Sequence, residues 1–326
     1  MKKGIYLMDR ENFDKVYPPH IRTRIAKRLD MAGICIDRQG LHSHPDLLEN
    51  AQVVFSSWGA PVFDAELLRA MPALEIVFYA AGSVKHFVTD AFFKRGILLS
   101  SAWAANAVPV AEYAFAQIIL ALKGYWGYLR NASPYPRLSC PGGYRSRVGI
   151  ISLGMIGKKV CERLLTLDTL NLAFDPCLDE LTARQYGVIP SSLHEIFSLC
   201  DVISLHAPLL DSTRGMIGKE HFLLMKQGGV FINTARGGLV DEKGMMEALR
   251  QRRDLTALLD VTDPEPPEKG SPLYDMENVF LTPHIAGSLD GECARMGEYM
   301  LEECFGYLDG KPLQYAVTKE SLETSA

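Results

Sequence analysis

The sequence predicts an α/β protein built on parallel sheets and divided into two domains, and three observations lead there. At 326 residues the chain is about twice the ~150 residues usual for one domain. Short apolar, strand-like runs alternate with amphipathic stretches along most of its length, the pattern of parallel strands joined by crossover helices. The segment from Ser288 to about Asp309 carries apolar residues at Leu289, Met296, Met300, Leu301, Phe305 and Leu308, close to helical spacing, and is expected to return to the domain in which the chain began. The expected organisation is an inner domain over residues 104–287 and an outer domain made from residues 1–103 with 288–326.

In chain order, the runs IYLM, VVFSS, IVFYAA and ILLSSA supply the strands of the outer domain. The stretch Val108 to Lys123, VPVAEYAFAQIILALK, is apolar nearly all round and reads as a buried helix. NASPYPRLSCPGGYRSR follows as a loop. The runs VGIISLG, LNLAFD, VISLHAP, VFINTA, ALLDV and VFLTP then give the inner domain its strands. Hydrophobic residues at 48% and charged residues at 22% exclude disorder, collagen and coiled coil. Lys plus Arg (34) minus Asp plus Glu (39) leaves −5, a field that disfavours nucleic acid and anionic membranes as partners. The seven cysteines (35, 140, 161, 177, 200, 293, 304) are scattered and never spaced as C-x-x-C, which argues against a disulfide framework or zinc site and fits a reducing cytoplasm. The five-residue apolar run before Asp9 is too short for a signal-peptide core. The most apolar helical candidate, Tyr113 to Leu122, falls short of the ~20 residues of a membrane span.

The first chemical signal is VGIISLGMIGKKV, a strand followed by Gly154, Met155, Ile156 and Gly157 opening an amphipathic helix. It follows the dinucleotide fingerprint G-x-G-x-x-G except that Ser152 stands at the first glycine. A serine makes that tight turn at a cost of about 1 to 2 kcal/mol if the backbone is left-handed, and at little cost otherwise. Gly154 is the glycine that lets a pyrophosphate approach the helix N-terminus, where free N–H groups and the dipole favour an anion. Asp175 lies 21 residues after Gly154 (175 − 154) at the end of LNLAFD. A carboxylate there accepts hydrogen bonds from the ribose hydroxyls of NAD and repels the 2′-phosphate of NADP. The same acid also suits a strand-ending turn before Pro176, and methyltransferases use a glycine turn with a following acid, so this pair does not name the reaction.

Arg236, Glu265 and His284 each follow a strand-like run closely, and open α/β sheets bind ligands outside the carboxyl ends of their strands. Singly they read as a surface ion pair, a solvated loop residue and a structural histidine. Together they supply an anion clamp, a carboxylate, and an imidazole whose ordinary pKa of ~6.5 suits proton exchange near neutral pH. Such a set can oxidise an alcohol beside a carboxylate.

With these blocks in order, the sequence resembles the D-isomer-specific 2-hydroxyacid dehydrogenase family: AAGS at 80–83, NAVPVAE at 106–112, LGMIG, FDP, DVISLHAPL, MKQGGVFINTARGGLVDE, LDVTDPEP and LTPHIAG. The resemblance spans nearly the whole chain. It implies two Rossmann-like domains, each a doubly wound parallel sheet, with an NAD-binding domain inserted into a flavodoxin-like substrate domain and the active site in the cleft. It further implies His284 as acid/base, Glu265 as its carboxylate partner, and Arg236 as clamp for the substrate carboxylate. Backbone N–H groups of Gly82 and Ser83 would hold the same carboxylate, and Asn106 matches a position near the substrate. Gly154, Met155, Ile156, Asp175, Pro208, Thr234, Ala235, Arg236, Asp260 and His284 fall where the family meets NAD, with Asp260 near the nicotinamide amide.

The sequence also departs from the family pattern. Beyond Ser152, the stretch FSSWGAPVFDAELL has Trp58, a residue that equally suits core packing, and Pro61 where phosphoglycerate dehydrogenases place phosphate-binding arginines. The expected substrate is therefore a small non-phosphorylated 2-hydroxy or 2-oxo acid of D configuration, with lactate, glycerate and glyoxylate-type acids all open. The sequence runs only a few residues past LQYAV, so no C-terminal regulatory domain is expected. A homodimer joined through the cofactor domain is expected. The other reading is a corepressor-like protein of the same fold that senses NAD(H) with little turnover.

Asp175 and the absence of a basic residue in FDPCLDE predict tighter binding of NADH than of NADPH, measured as the ratio of dissociation constants. Asp175→Ala should collapse that ratio; an unchanged ratio would show that Asp175 does not meet the ribose.

Overall fold

A computed structural model describes residues 1–130 and 139–322. NASPYPRL, the first part of the expected loop, and residues 323–326 lie outside the described residues. The described residues divide into two compact units, Met1–Asn106 with 288–322, and Ala107–Gly287.

The first unit holds β1 (Lys3–Leu7), β2 (Asp30–Ile36), β3 (Val53–Ser56), β4 (Ile76–Tyr79) and β5 (Leu98–Ser101). All pairings are parallel, in the order β2-β1-β3-β4-β5, which is the flavodoxin-like arrangement. Successive side chains point to opposite faces of a strand, so each strand feeds two cores. Leu7, Val54, Val77 and Tyr79 pack on one face with Phe63 and Phe92. Tyr6, Phe55 and Phe78 pack on the other against Met296, Met300 and Leu301. These last three belong to the returning helix Cys293–Leu308. That helix sits close to its neighbour because Gly297 has no side chain: a Cβ there would lie 1.9 Å from the Val16 carbonyl oxygen. Glu303 ties down the segment that follows by accepting from Ser100 Oγ (2.7 Å) and from the backbone N–H groups of Gln314 (3.0 Å) and Tyr315 (3.1 Å).

The second unit holds β6 (Arg147–Ile151), β7 (Leu170–Phe174), β8 (Val188–Pro190), β9 (Val202–Leu205), β10 (Val230–Asn233), β11 (Thr256–Leu259) and β12 (Val279–Leu281). The order is β12-β11-β10-β9-β6-β7-β8, parallel throughout. Counted from β6 this is the 3-2-1-4-5-6 order of dinucleotide-binding sheets with one added strand. Ile151, Ile203, Phe231 and Leu259 build one core face, and Ile150, Val202, Ile232 and Leu258 the other.

Two of the four edge strands, β2 and β8, are absent from the sequence reading. Their mixed exposure leaves no continuous apolar run such as strands buried on both faces display. The apolar helix also begins earlier than expected. It runs Trp103–Leu122, 20 residues with Pro109 inside it, so its length no longer separates it from a membrane span. What it does in the fold is pack: Ala111, Ala114, Ile118, Ala121 and Leu122 are buried against β6, β9 and β10.

Candidate functional site

In a parallel sheet all strands end at the same edge, and the crevice opens where the strand order reverses, here between β6 and β9. Ser152 follows β6 with φ +76°, so the costly alternative for this turn is the one adopted. Its N–H donates to the Phe174 carbonyl (2.7 Å), and a Cβ on Gly157 would lie 2.1 Å from the Ser152 carbonyl oxygen. The third fingerprint glycine therefore lets the helix Met155–Leu164 close onto the turn. Gly154 caps that helix without a side-chain hydrogen bond, and the space a side chain would take there is open. Met155 and Ile156 form its first residues. Asp175, at the end of β7, accepts from Leu153 N–H (2.7 Å) and Ser152 Oγ (3.2 Å) on Oδ2, and from Cys177 N–H (2.8 Å) on Oδ1.

Two orphaned polar atoms lie further along this edge. Asn233 ends β10 and pairs with Leu205, which ends β9, so Thr234 and His206 are the first residues beyond the ends of adjacent strands. Thr234 Oγ1 and His206 Nδ1 are both buried without a hydrogen-bond partner. Buried polar atoms are ordinarily satisfied, so this pair marks where a polar ligand completes the structure. An uncapped helix N-terminus, an open glycine, a carboxylate at the end of the second strand and these orphans fit a dinucleotide. Pro208 leads the loop after β9, its carbonyl held by Thr213 Oγ1 (2.6 Å). The Ala235 N–H is held by Asn233 Oδ1 (3.0 Å).

The loops after β10, β11 and β12 bring Arg236, Glu265 and His284 into one cluster. Gly237 permits this: a Cβ on it would lie 2.0 Å from the Thr262 carbonyl carbon, so the Arg236 loop packs directly on the loop leading to Glu265. His284 Nδ1 is 2.5 Å from Glu265 Oε1. Burial lowers the Arg236 guanidinium below the usual arginine range, and the Glu265 charge opposes that shift. His284 has φ +54°, a conformation rare outside glycine, and its N–H donates to the Asp260 and Thr282 carbonyls (3.0 Å each). The buried Asp260 carboxylate accepts from Ile285 N–H (2.8 Å), Ala286 N–H (2.9 Å) and Thr282 Oγ1 (2.6 Å). Its observed partners are thus the turn that carries His284. Tyr113 OH lies 3.1 Å from Thr282 Oγ1.

Gly82, Ser83 and Asn106 belong to the first unit. Ser101 Oγ donates to the carbonyls of Ala81 (2.8 Å) and Gly82 (2.7 Å), fixing the loop after β4. Asn106 Oδ1 accepts the Ser288 N–H (2.9 Å). Sequence reasoning passed over His206, Gly237, Thr282 and Tyr113. The first three sit inside the motifs LHAPL, TARGG and LTPHIAG. A lone imidazole in an apolar run and the first glycine of a pair carry no local signal of their own.

A two-unit α/β protein whose second sheet ends in a dinucleotide crevice beside an Arg–Glu–His cluster defines a broad class, and comparison with known proteins narrows it. The model of the D-isomer specific 2-hydroxyacid dehydrogenase NAD binding domain matches residues 123–286, half of the chain. D-3-phosphoglycerate dehydrogenase from Archaeoglobus fulgidus is 32% identical over 80% of this chain and 50% of its own length. The chain spans about half the length of the curated relatives it matches. Among solved structures, the TT0316 protein of Thermus thermophilus has a TM-score of 0.77 at 26% identity, covering 97% of this chain and 100% of that one. The D-isomer specific 2-hydroxyacid dehydrogenase of Lactobacillus delbrueckii ssp. bulgaricus has a TM-score of 0.80 at 21% identity over 97% and 100% of the two chains, a likeness of fold. The chain belongs to the D-isomer specific 2-hydroxyacid dehydrogenase family, and its second unit is that family's NAD-binding domain.

His206 gives this domain a pH signature. Burial pushes its pKa down to about 4, below the ~6.5 of an unfolded chain. The unfolded state therefore binds the proton more tightly. The resulting destabilisation is absent above pH 6.5, grows as pH falls toward 4, and comes to about 2 kcal/mol at pH 5. Urea unfolding at pH 7 and pH 5 should show the parent losing about 2 kcal/mol more than His206→Gln; equal losses would show that His206 is not held neutral.

Proposed function

We propose that the protein is an NAD-dependent D-2-hydroxyacid dehydrogenase acting on a small non-phosphorylated 2-hydroxy or 2-oxo acid. The observation that carries this reading is the 2.5 Å contact between His284 Nδ1 and Glu265 Oε1, with Arg236 charge-coupled to the same carboxylate. Glu265 accepts from Nδ1, which fixes the tautomer, leaves Nε2 as the working nitrogen, and supports the imidazolium. In alcohol oxidation Nε2 takes the hydroxyl proton; in the reverse direction it returns one to the carbonyl oxygen. Arg236 receives the substrate carboxylate through its planar fork, and its partial burial strengthens that attraction. Held by the uncapped helix N-terminus at Gly154, by Asp175 and by the orphaned Thr234 and His206 atoms, NAD would supply the hydride-accepting chemistry and NADH its reverse. Gly82 and Ser83 are assigned to the carboxylate through their backbone N–H groups, and Asn106 to the substrate side.

A substrate without phosphate is supported by the loop after β3. Trp58 there is half-buried against the cores on both faces of the first sheet. Arg38, which touches this loop, directs Nε to the Gly59 carbonyl (3.3 Å) and Nη2 to the Ala60 carbonyl (2.8 Å). We place the protein in a reducing cytoplasm, in keeping with seven free thiols. A homodimer joined through the cofactor domain is supported by exposed Tyr125 and Leu129 on the helix Tyr125–Arg130. Sedimentation at micromolar concentration should give twice the chain mass, and a monomer would remove the dimer alone.

The deciding assay offers NADH with a panel of phosphorylated and non-phosphorylated 2-oxo acids and follows the nicotinamide absorbance. Turnover should be confined to the non-phosphorylated acids; preference for a phosphorylated one overturns the substrate class. On the best substrate, His284→Ala should lower turnover about 10²- to 10⁴-fold with NADH binding kept. Arg236→Ala should raise KM and lower kcat, with only partial rescue by lysine, whose ammonium lacks the planar fork. Glu265→Gln should lose a larger share of its reduction rate at pH 8 than at pH 6, because the amide no longer supports the imidazolium. NADH binding without turnover on any acid, or near-parent turnover in His284→Ala, would favour the NAD(H)-sensing reading.

A further inference from the structure

The turn after β6 is made by backbone contacts that need no hydroxyl. The Ser152 N–H bonds the Phe174 carbonyl (2.7 Å), its carbonyl oxygen is covered by Gly157, and φ is +76°, where glycine is the unstrained residue. A serine at this position therefore adds strain that the turn does not require. What it contributes is its side chain, which donates to Asp175 Oδ2 at 3.2 Å, beside the Leu153 N–H at 2.7 Å on the same oxygen. The Cys177 N–H holds Oδ1 at 2.8 Å.

An ionised carboxylate offers about four lone-pair sites. Two donors occupy Oδ2 and one occupies Oδ1, so the remaining acceptor capacity of Asp175 lies on Oδ1. A hydroxyl that donates to a carboxylate still has its own lone pairs to accept with. We propose that Ser152 is a positioning and specificity-determining residue for the cofactor. It pins Asp175 Oδ2, leaves Oδ1 to accept from one hydroxyl of a ribose diol, and offers its own oxygen to accept from the other. A ribose 2′-phosphate has lost one of the two donor hydroxyls, so one acceptor goes unmatched, and its phosphate meets the carboxylate with like charge. This assignment rests on the NAD reading above and extends it from a single acid to a Ser–Asp pair.

The test titrates the full chain, without substrate, with NADH and NADPH by nucleotide fluorescence, and separately records melting temperature without nucleotide. Ser152→Gly should melt higher than the parent, because the left-handed strain is relieved, yet bind NADH about threefold to tenfold more weakly and discriminate less against NADPH. Ser152→Ala, which keeps the strain and loses the hydroxyl, should show the same loss of affinity without the gain in melting temperature. A Ser152→Gly protein that binds NADH as tightly as the parent with an unchanged NADPH ratio overturns the proposal. So does one that loses affinity and melts lower, since it has lost the turn and not a ribose contact. If the parent binds neither dinucleotide, the NAD reading falls and this assignment with it; tight NADH binding indifferent to both variants removes the Ser152 assignment alone.

Discussion

The buried carboxylate of Asp260 is the constraint on which the reactive end of the second unit depends. A charge taken out of water is costly unless hydrogen bonds replace its hydration, and Asp260 recovers three, all from residues 282 to 286. The same residue's carbonyl accepts the His284 N–H. Backbone and side chain of one aspartate at the end of β11 thus hold the turn after β12 in a conformation a histidine rarely adopts. With that turn fixed, the imidazole reaches Glu265 across 19 residues of sequence.

A second feature of the sheet edge is that strain and polarity are concentrated there. Ser152 and His284, both with positive φ, lie at carboxyl ends of strands in the same sheet, and each is held by backbone hydrogen bonds. The orphaned atoms of Thr234 and His206 lie along the same edge, just beyond strands whose apolar residues are otherwise fully packed. Stable cores on both faces allow an edge with locally unfavourable backbone and unsatisfied polar groups, which is where ligand-binding chemistry is found in such sheets.

Sequence reading found the strands buried on both faces, because β3, β4, β6, β9, β10 and β11 are continuous apolar runs. It passed over β2 and β8, which lie at the edges and mix exposed with buried positions. The apolar pattern places the helix at Val108 to Lys123, because polar Asn106 interrupts the pattern upstream, whereas in the fold the helix begins at Trp103 and runs through Asn106 and Pro109. Core packing of Trp58 is one of two readings its sequence context allows; that it touches both cores of the first sheet depends on the fold.

The sequence by itself determined the parallel α/β class, the strand-turn-helix around Gly154 and the acid at the end of the next strand, because hydrophobic period and turn chemistry are local properties of the chain. Only the tertiary structure decided that Ser152 adopts the left-handed turn and bonds Asp175, that Asp260 holds the His284 turn, and that Gly237 lets the Arg236 loop lie on Thr262. Each is a contact of hydrogen-bond or van der Waals length between loops from different strands. Such contacts depend on the register and spacing of the sheet, which no window of sequence contains.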